Sequence, residues 1–531
     1  MPRLAPWLVA CAAAIAWLVL SQSARNDLAG GDEGYYGTMT RNVLASRAQL
    51  VSPSLSPLGP PGDKPPLYPL LLAPFVRAWG PVPAAVRALS VPCATLIAGG
   101  LGVLVAAAAG SWTAVFAAAL LATLPSFADA SRRAAAELPL TALATLALLV
   151  LAGEPRSRAR AAVAGAGLGL AFLCKLWLVA PAALAALAMI ARRDRRTPGV
   201  AAALVGTALA VGAAHLVVLR IFAPKVLGHW LYIYLGRSLV ERVRGEGYAD
   251  YWRLPAGMYW AFATRAFVLV LPFVAIGAEN AWRRRGEPVP RALLVWSAGL
   301  LLLSLFRVKS AGYAYVVMPS WAALAALGVD AIARGVRPSP WPLVAGAALT
   351  SPLVSAWGAQ GLPLPAWATA WAAAAALAWL ARRPRAHAEK LAAAWALLAL
   401  AFGSAHSAVR LSVPYHTPGY ERVAAAIAPR LAGIPPNEPS FVAPEAPAFD
   451  YFLFRTGLYW GTPIAPWTEA RAREVQADRR LRVFIVDPTR DFYGGWPDSA
   501  TVRWLEHETT EITARMPPGP HGERPLRVFV R

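Results

Sequence analysis

Apolar runs of about twenty residues, the length that crosses a bilayer core, recur along this 531-residue chain from its start to about residue 410. They fall at 5–22, 84–108, 112–128, 138–153, 159–174, 176–191, 199–223, 256–278, 291–306, 313–333, 340–358, 364–381 and 390–410. The balance of the chain agrees: 57% of residues are hydrophobic, 15% are charged and the mean hydropathy is +0.45. A soluble chain of this size would be about a quarter charged. The reading is a mainly α, polytopic membrane protein with about thirteen transmembrane helices and a small C-terminal α/β domain outside the membrane.

A net charge of +22 has a topological explanation. Most Arg and Lys before residue 400 fall in short clusters between the runs: Arg156, Arg158 and Arg160; Arg192, Arg193, Arg195 and Arg196; Arg283, Arg284, Arg285 and Arg291; Arg334 and Arg337; Arg382, Arg383, Arg385 and Lys390. Short basic loops stay cytoplasmic. Alternation from a cytoplasmic Arg3 puts every cluster inside and puts Asp32, Asp63, Lys64, Glu137 and Lys175 outside, with the tail. No basic helix or aromatic-interleaved patch points to nucleic acid. Cys11, Cys93 and Cys174 lie in or beside apolar runs, as small core residues do. Residues 5–22 resemble a signal peptide, but the run is long and lacks an A-x-A site, so it reads as an uncleaved anchor. The Ala- and Arg-rich composition suggests a bacterial inner membrane.

The segment "KPPLYPLLLAPFVRAWG", 64–80, is apolar but short and carries Pro65, Pro66, Pro69 and Pro74. A span there would turn every later basic loop outward, so it reads as a surface helix or re-entrant segment. Between Tyr35 and Ser46, Tyr36, Met39, Val43 and Leu44 recur at helical spacing, predicting an amphipathic helix on the outer leaflet. These elements belong to a first outer loop, 23–83. A second outer loop, about 224–255, carries Trp230, Tyr232, Tyr234, Tyr251 and Trp252, which suit an interfacial belt, together with Arg237, Arg242, Arg244 and Arg253. The transmembrane domain is 1–410. From 411 to 531 charge becomes frequent, "GYERVAAAIAPRLAG" reads as a helix, and "PSFVAP", "LRVFIVDP" and "PLRVFVR" read as strands.

The charges just outside the first run need a reason. An outward-facing Asp32-Glu33 pair can act as a general base toward a hydroxyl, or supply oxygen ligands to a divalent cation. It can equally cap the helix that follows. Lys64, stiffened by Pro65 and Pro66, can bind phosphate as a point charge, or snorkel to headgroups. Glu137 sits at the end of a run beside Arg132 and Arg133. Lys175 interrupts an apolar stretch, which marks a cavity or a tight turn between spans. Lys309, two residues after Arg307, has the same character.

The order "DE-x-Y-Y", "DKPPLYPLLLA", "R-AAAELPL", "GLGLAFLCK" and "K-x-x-x-Y-x-Y-x-x-x-P" resembles the GT-C class of membrane glycosyltransferases, in its ArnT-like and protein O-mannosyltransferase-like branch. The likeness runs over essentially the whole chain, and the acidic pair with "KPPL" is its most specific part. It implies a transferase that takes a sugar from a polyprenyl-phosphate carrier at the outer membrane face and gives it to a lipid, glycan or protein acceptor. It implies Asp32 as the catalytic acid, with Glu33 beside it. Asp63-Lys64 stands where the family typically has Glu-Lys, and Glu137 where it often has Asp. Lys64, Lys175, Lys309 and Arg242 would lie around the donor phosphate, with Tyr313, Tyr315 and Tyr259 along the lipid groove. A divalent cation, Mg or Mn, stays open as a cofactor, with Asp63 and Glu137 as the added acids. A lipid-linked sugar flippase would also use intramembrane Lys and Glu, but would be expected to show two related halves. A membrane scaffold would leave the outer charges unexplained.

Overall fold

A computed structural model of the chain describes residues 32–54, 64–191, 197–244, 258–307, 310–337, 339–350, scattered positions between 364 and 375, 385–412, 419–436, 438–443, 446–459, 468–487, 499–516 and 526–531. The expected anchor at 5–22, most of the run at 364–381, Asp63 and Lys309 lie outside the described residues.

The other apolar runs form helices: Pro83–Ala109, Ser111–Thr123 with Pro125–Ser131, Glu137–Gly153, Arg158–Lys175, Ala180–Ile190, Thr197–Phe222, Met258–Ala266 with Val268–Arg283, Pro288–Ser304, Met318–Ala333, Pro340–Thr350 and Arg385–Ser412. Among the described residues, three helical runs are long and apolar enough to cross a membrane alone, or five when each of two bent pairs counts once. Further apolar helices of 10–17 residues stand beside them among the described residues, and the chain is an integral membrane protein with membrane-length helices. Each bend has a local cause. Leu124 is extended ahead of Pro125, as a residue before proline prefers, and the axis turns by 70° there. The second bend, 76°, follows Phe267, which leaves helical geometry one turn before Pro272.

Helix runs on without a gap from Arg158 to Ile190 over 33 residues, yet this stretch is not one span. Leu176 has φ = +57°, which breaks the ladder, and a 3-10 turn Leu176–Val179 follows. Arg158 lies against Gly199, while the link from Ile190 to Thr197 can reach at most about 25 Å. A straight 33-residue helix would be about 50 Å long, so the chain must reverse at Lys175. The contacts of each half fit that reversal: Gly165 and Gly169 pack beside Thr207 and Val211, whereas Pro181 packs on Gly299 and Arg291 donates to the Ala188 carbonyl. At the same end as Arg291, Arg284 and Arg334 donate to the carbonyls of Ala108 and Ala109. The basic loops therefore gather at one end of the bundle by closing C-terminal carbonyls of neighbouring helices, a favourable use of positive charge.

The helix Asp32–Ala45 was expected on a leaflet surface with one wet face. It is instead buried nearly all round: Tyr36, Met39 and Val43 are covered, and so are Thr38, Thr40 and Asn42. One side packs on the helix Leu67–Trp79, the proline-rich segment, which is a short helix at the end of the bundle. Another packs under the C-terminal domain helix Ala446–Leu453. The polar residues on this face are held by internal partners: Thr40 Oγ1 donates to Tyr36 O, and Asn42 donates to Ser54 O at 2.8 Å.

In the second outer loop, Trp230 and Tyr234 are buried with Leu173, Leu176 and Leu219 rather than forming an interfacial belt. Trp177 Nε1 donates to Tyr234 O at 2.7 Å, tying the loop to the turn after Lys175. Tyr251, Trp252 and Arg253 lie outside the described residues.

The C-terminal domain is a five-stranded mixed sheet in the order β2-β1-β3-β5-β4. Its strands are β1 Pro439–Ala443, β2 Thr456–Tyr459, β3 Val483–Val486, β4 Thr510–Glu511 and β5 Arg527–Val530. β1 pairs in parallel with β2 and β3, while β5 runs antiparallel to β3 and β4. Helices cover both faces, so β3 is buried at every position, as an apolar central strand should be. Tyr420 and Phe449 pack on one face, Leu505 and Phe529 on the other.

Candidate active site

Four of the expected residues meet at the end of the bundle opposite the basic loops. Asp32 and Glu137 each occupy the first turn of a helix, and Lys175 the last turn of another. Acids at helix N-termini and a base at a C-terminus are each favoured by the local backbone dipole. Lys175 Nζ lies 2.9 Å from Asp32 Oδ2 and 2.9 Å from Glu137 Oε1. Lys64 Nζ stands 3.6 Å from Asp32 Oδ1. Glu137 and Lys175 are 5% and 10% exposed, but Asp32 keeps 44% of its side chain open, so it is the acid of this cluster that an incoming molecule can touch. Gly312 matters locally: a Cβ there would sit 3.0 Å from Glu137 Oε1.

Burial by itself would raise the Asp32 carboxyl, but Lys175 and then Lys64 outweigh it and hold the group well below the usual carboxylate range.

Beside this cluster is a cleft of about 40 Å³ lined by Lys64, Lys175, Trp177, Arg242, Phe306 and Tyr313, among others. Arg242 donates to the Tyr313 hydroxyl, and its guanidinium lies 5.3 Å from the Tyr313 ring. Tyr259 stands 6.4 Å from Tyr313, ring to ring, and accepts from the Ser310 N–H at 3.2 Å. Tyr315 points elsewhere: it packs on Phe262 and lines a separate cavity of about 450 Å³ with Asp129, Arg265 and His406. The larger cavity does not include Asp32, Lys64 or Lys175.

Glu33 is not a second open acid. It is 3% exposed and accepts from Arg87 at 2.9 and 2.7 Å and from the Ala134 N–H at 2.9 Å. Arg87 was hidden in the sequence because it falls inside the run 84–108. The available signal was its cost: an arginine in an apolar run needs an acid. Arg132 and Arg133, expected beside Glu137, belong to Asp129 at 2.8 and 2.9 Å.

The cluster suits an ammonium better than a divalent cation. The acids named for a metal were the pair Asp32-Glu33, with Asp63 and Glu137: Asp63 lies outside the described residues, Glu33 is paired with Arg87, and Lys175 stands between the carboxylates of Asp32 and Glu137. Among the described residues no three His, Cys, Asp or Glu side chains converge on one point.

Residues 63–220 match the family model described as dolichyl-phosphate-mannose-protein mannosyltransferase. That stretch holds Lys64, Arg87, Glu137 and Lys175, but not Asp32 or Arg242. No curated protein sequence matches the chain. Among solved structures, ArnT from Cupriavidus metallidurans bound to undecaprenyl phosphate is 17% identical with a TM-score of 0.63, covering 99% of this chain and 98% of that one. The oligosaccharyltransferase AglB from Archaeoglobus fulgidus, in complex with an inhibitory peptide and a dolichol-phosphate, gives 15% and 0.56 over 91% of this chain and 69% of that one. The arabinofuranosyltransferase AftD from Mycobacteria gives 16% and 0.55 over 99% of this chain and 40% of that one. The fold is that of the solved ArnT structure, matched along nearly the whole length of both chains.

Proposed function

We propose that a chain with this fold is an inverting glycosyltransferase that moves a sugar from a polyprenyl-phosphate carrier to a hydroxyl of a lipid, glycan or protein acceptor at the outer face of the membrane. One observation carries the reading: a partly open Asp32 stands between Lys175 and Lys64, next to a cleft lined by Lys64, Arg242 and Tyr313.

The chemistry asks for little else. A phosphate leaving group departs without a proton but develops negative charge, which preorganised cations stabilise. Lys64 and Arg242 serve that end. The acceptor hydroxyl gives its proton to Asp32 as its oxygen bonds to the anomeric carbon. The carbon–oxygen bond to phosphate breaks with its electron pair, and the single displacement inverts the centre. Arrival of the donor phosphate draws Lys64 from its longer contact with Asp32, and the added negative charge raises the basicity of the carboxylate. Lys175 stays between Asp32 and Glu137 and orients the base.

The basic loops at the far end support a cytoplasmic location for that end and an extracytoplasmic one for the site and the tail domain, in a bacterial inner membrane with the N-terminus cytoplasmic. The lipid tail of the donor stays among membrane lipids.

The test uses purified protein in liposomes, a radiolabelled polyprenyl-phosphate sugar and an extract of envelope acceptors. Asp32→Asn lowers label transfer by about 10²–10⁴-fold, the usual worth of a general base. Undiminished transfer in Asp32→Asn overturns the assignment. Label that crosses the bilayer still attached to its lipid, whatever stands at position 32, identifies a flippase instead.

A further inference from the structure

The helix that carries Asp32 is gripped at a second place, far from the charges. Four residues downstream of Glu33 the ring of Tyr451 lies directly against Gly37, where a Cβ would come within 2.8 Å of the ring edge. Four residues further, the Arg41 guanidinium donates to the Tyr451 carbonyl and lies 4.4 Å from the centre of the Phe454 ring. Positions 33, 37 and 41 recur at the spacing that lines one helix face, so one face of this helix touches Arg87 at one end and the tail domain along the rest. Tyr451 also reaches the other side of the clamp. Its hydroxyl donates to the Val82 carbonyl at 3.2 Å, immediately before the short helix Pro83–Arg87 that presents Arg87 to Glu33.

Phe454 supplies an independent observation. It is one of two non-glycine residues with positive φ among the described residues, at +51°, directly after the helix Ala446–Leu453. Glycine is the unstrained choice at such a helix end. A phenylalanine there is conformationally costly, and its ring lies nearer the Arg41 guanidinium, at 4.4 Å, than the Tyr451 ring does, at 5.9 Å.

We infer that Arg41, Tyr451 and Phe454 are positioning residues for transfer: the tail domain clamps the Asp32 helix through Gly37 and Arg41, and fixes Arg87 through Val82. The inference rests on Asp32 being the base. The tail domain then acts on the reaction through the orientation of Asp32, without itself touching the reacting atoms.

The strained residue makes a clean test in the full-length protein in detergent. Phe454→Gly removes the ring while relieving the backbone, so unfolding of the tail domain is not shifted to lower temperature. Hydrogen exchange at amides 32–45 rises about tenfold, the factor that a cation–π contact between the exposed and the fully desolvated case corresponds to, while the amides of β1 and β3 stay as protected as before. Phe454→Tyr, which keeps a ring over Arg41, restores the original exchange. In the liposome transfer assay Phe454→Gly lowers kcat with an unchanged KM for the radiolabelled donor. Unchanged exchange at 32–45 in Phe454→Gly, or a rise confined to 446–459, overturns the inference. Should Asp32→Asn transfer sugar normally, the functional reading fails whatever the exchange data say, so the two failures are separable.

Discussion

Lys175 and Asp32 are 143 positions apart in the chain, and their charged atoms meet at 2.9 Å. The same ammonium is 2.9 Å from Glu137, so one lysine at a chain reversal neutralises carboxylates from two other helices. With Lys64 the cluster brings two acids and two bases together among the described residues, and Arg242 lines the cleft beside it.

Lys175→Met removes the cation between Asp32 and Glu137 and leaves two carboxylates facing each other. Transfer is expected to fall by about 10²-fold or more, because the base loses its orientation as well as its counter-charge. Because a side chain already fills the bridging position, chelation of the native protein with EDTA is expected to leave transfer unchanged. A rate restored by added Mg or Mn after chelation would mean that the cluster rearranges around a metal when substrate binds.

Arg87 and Glu33 form a doubly hydrogen-bonded pair that is 1% and 3% exposed. Removing one partner of such a pair costs about 3–5 kcal/mol. Arg87→Met should therefore destabilise the protein strongly in thermal unfolding, while the double variant Glu33→Leu/Arg87→Met should recover much of the loss. Glu33→Gln should keep the shape of the pH–rate profile, since Glu33 only holds its neighbour in place. A profile that loses its acidic limb in Glu33→Gln would make Glu33 a proton acceptor after all.

Asp450 is buried in the tail domain and accepts from the Gly457 N–H at 2.7 Å. Burial raises its carboxyl well above the ordinary 3.8, and the hydrogen bond only partly offsets this. A folded-state value above the unfolded one means that the folded form holds the proton more tightly. Stability relative to Asp450→Asn therefore declines as pH rises from about 4 through the raised folded value. Denaturant unfolding across that range should show native and variant curves diverging toward higher pH. Curves that stay parallel would contradict the burial effect.

What could be read in advance follows from how each feature is encoded. Apolar runs declare helices because each span needs its own length of apolar sequence. Asp32, Lys64, Glu137 and Lys175 stood out because a charge near an apolar run is expensive. Pairings were harder: sequence displays charges, while partners are set by packing. Arg132 and Arg133 could have been assigned to Asp129 by their three- and four-residue spacing on a helix, but Arg87 with Glu33 is a long-range match. The amphipathic reading of Asp32–Ala45 failed because Thr38, Thr40 and Asn42 are polar yet buried, each covered by neighbouring elements. In the tail, β1, β3 and β5 were legible as β-branched runs. β2, with a glycine in its four residues, and the two-residue β4 carry too little pattern to be seen.

The helices below the site are short. Glu137–Gly153 has 17 residues, about 25 Å of helix, and the 3-10 turn Leu176–Val179 with the helix Ala180–Ile190 reaches about 24 Å, against a hydrocarbon core about 30 Å thick. Such hydrophobic mismatch is met by local thinning of the bilayer or by sinking of the short elements. Under the proposed function, either response would bring Asp32 and Lys175 below the surrounding headgroup plane. On that reading, a phosphate tethered to a membrane-bound isoprenoid would reach that depth with its tail still dissolved in lipid. The acceptor would then have to descend to meet it, and bulk water would be kept at a distance from the sugar bond.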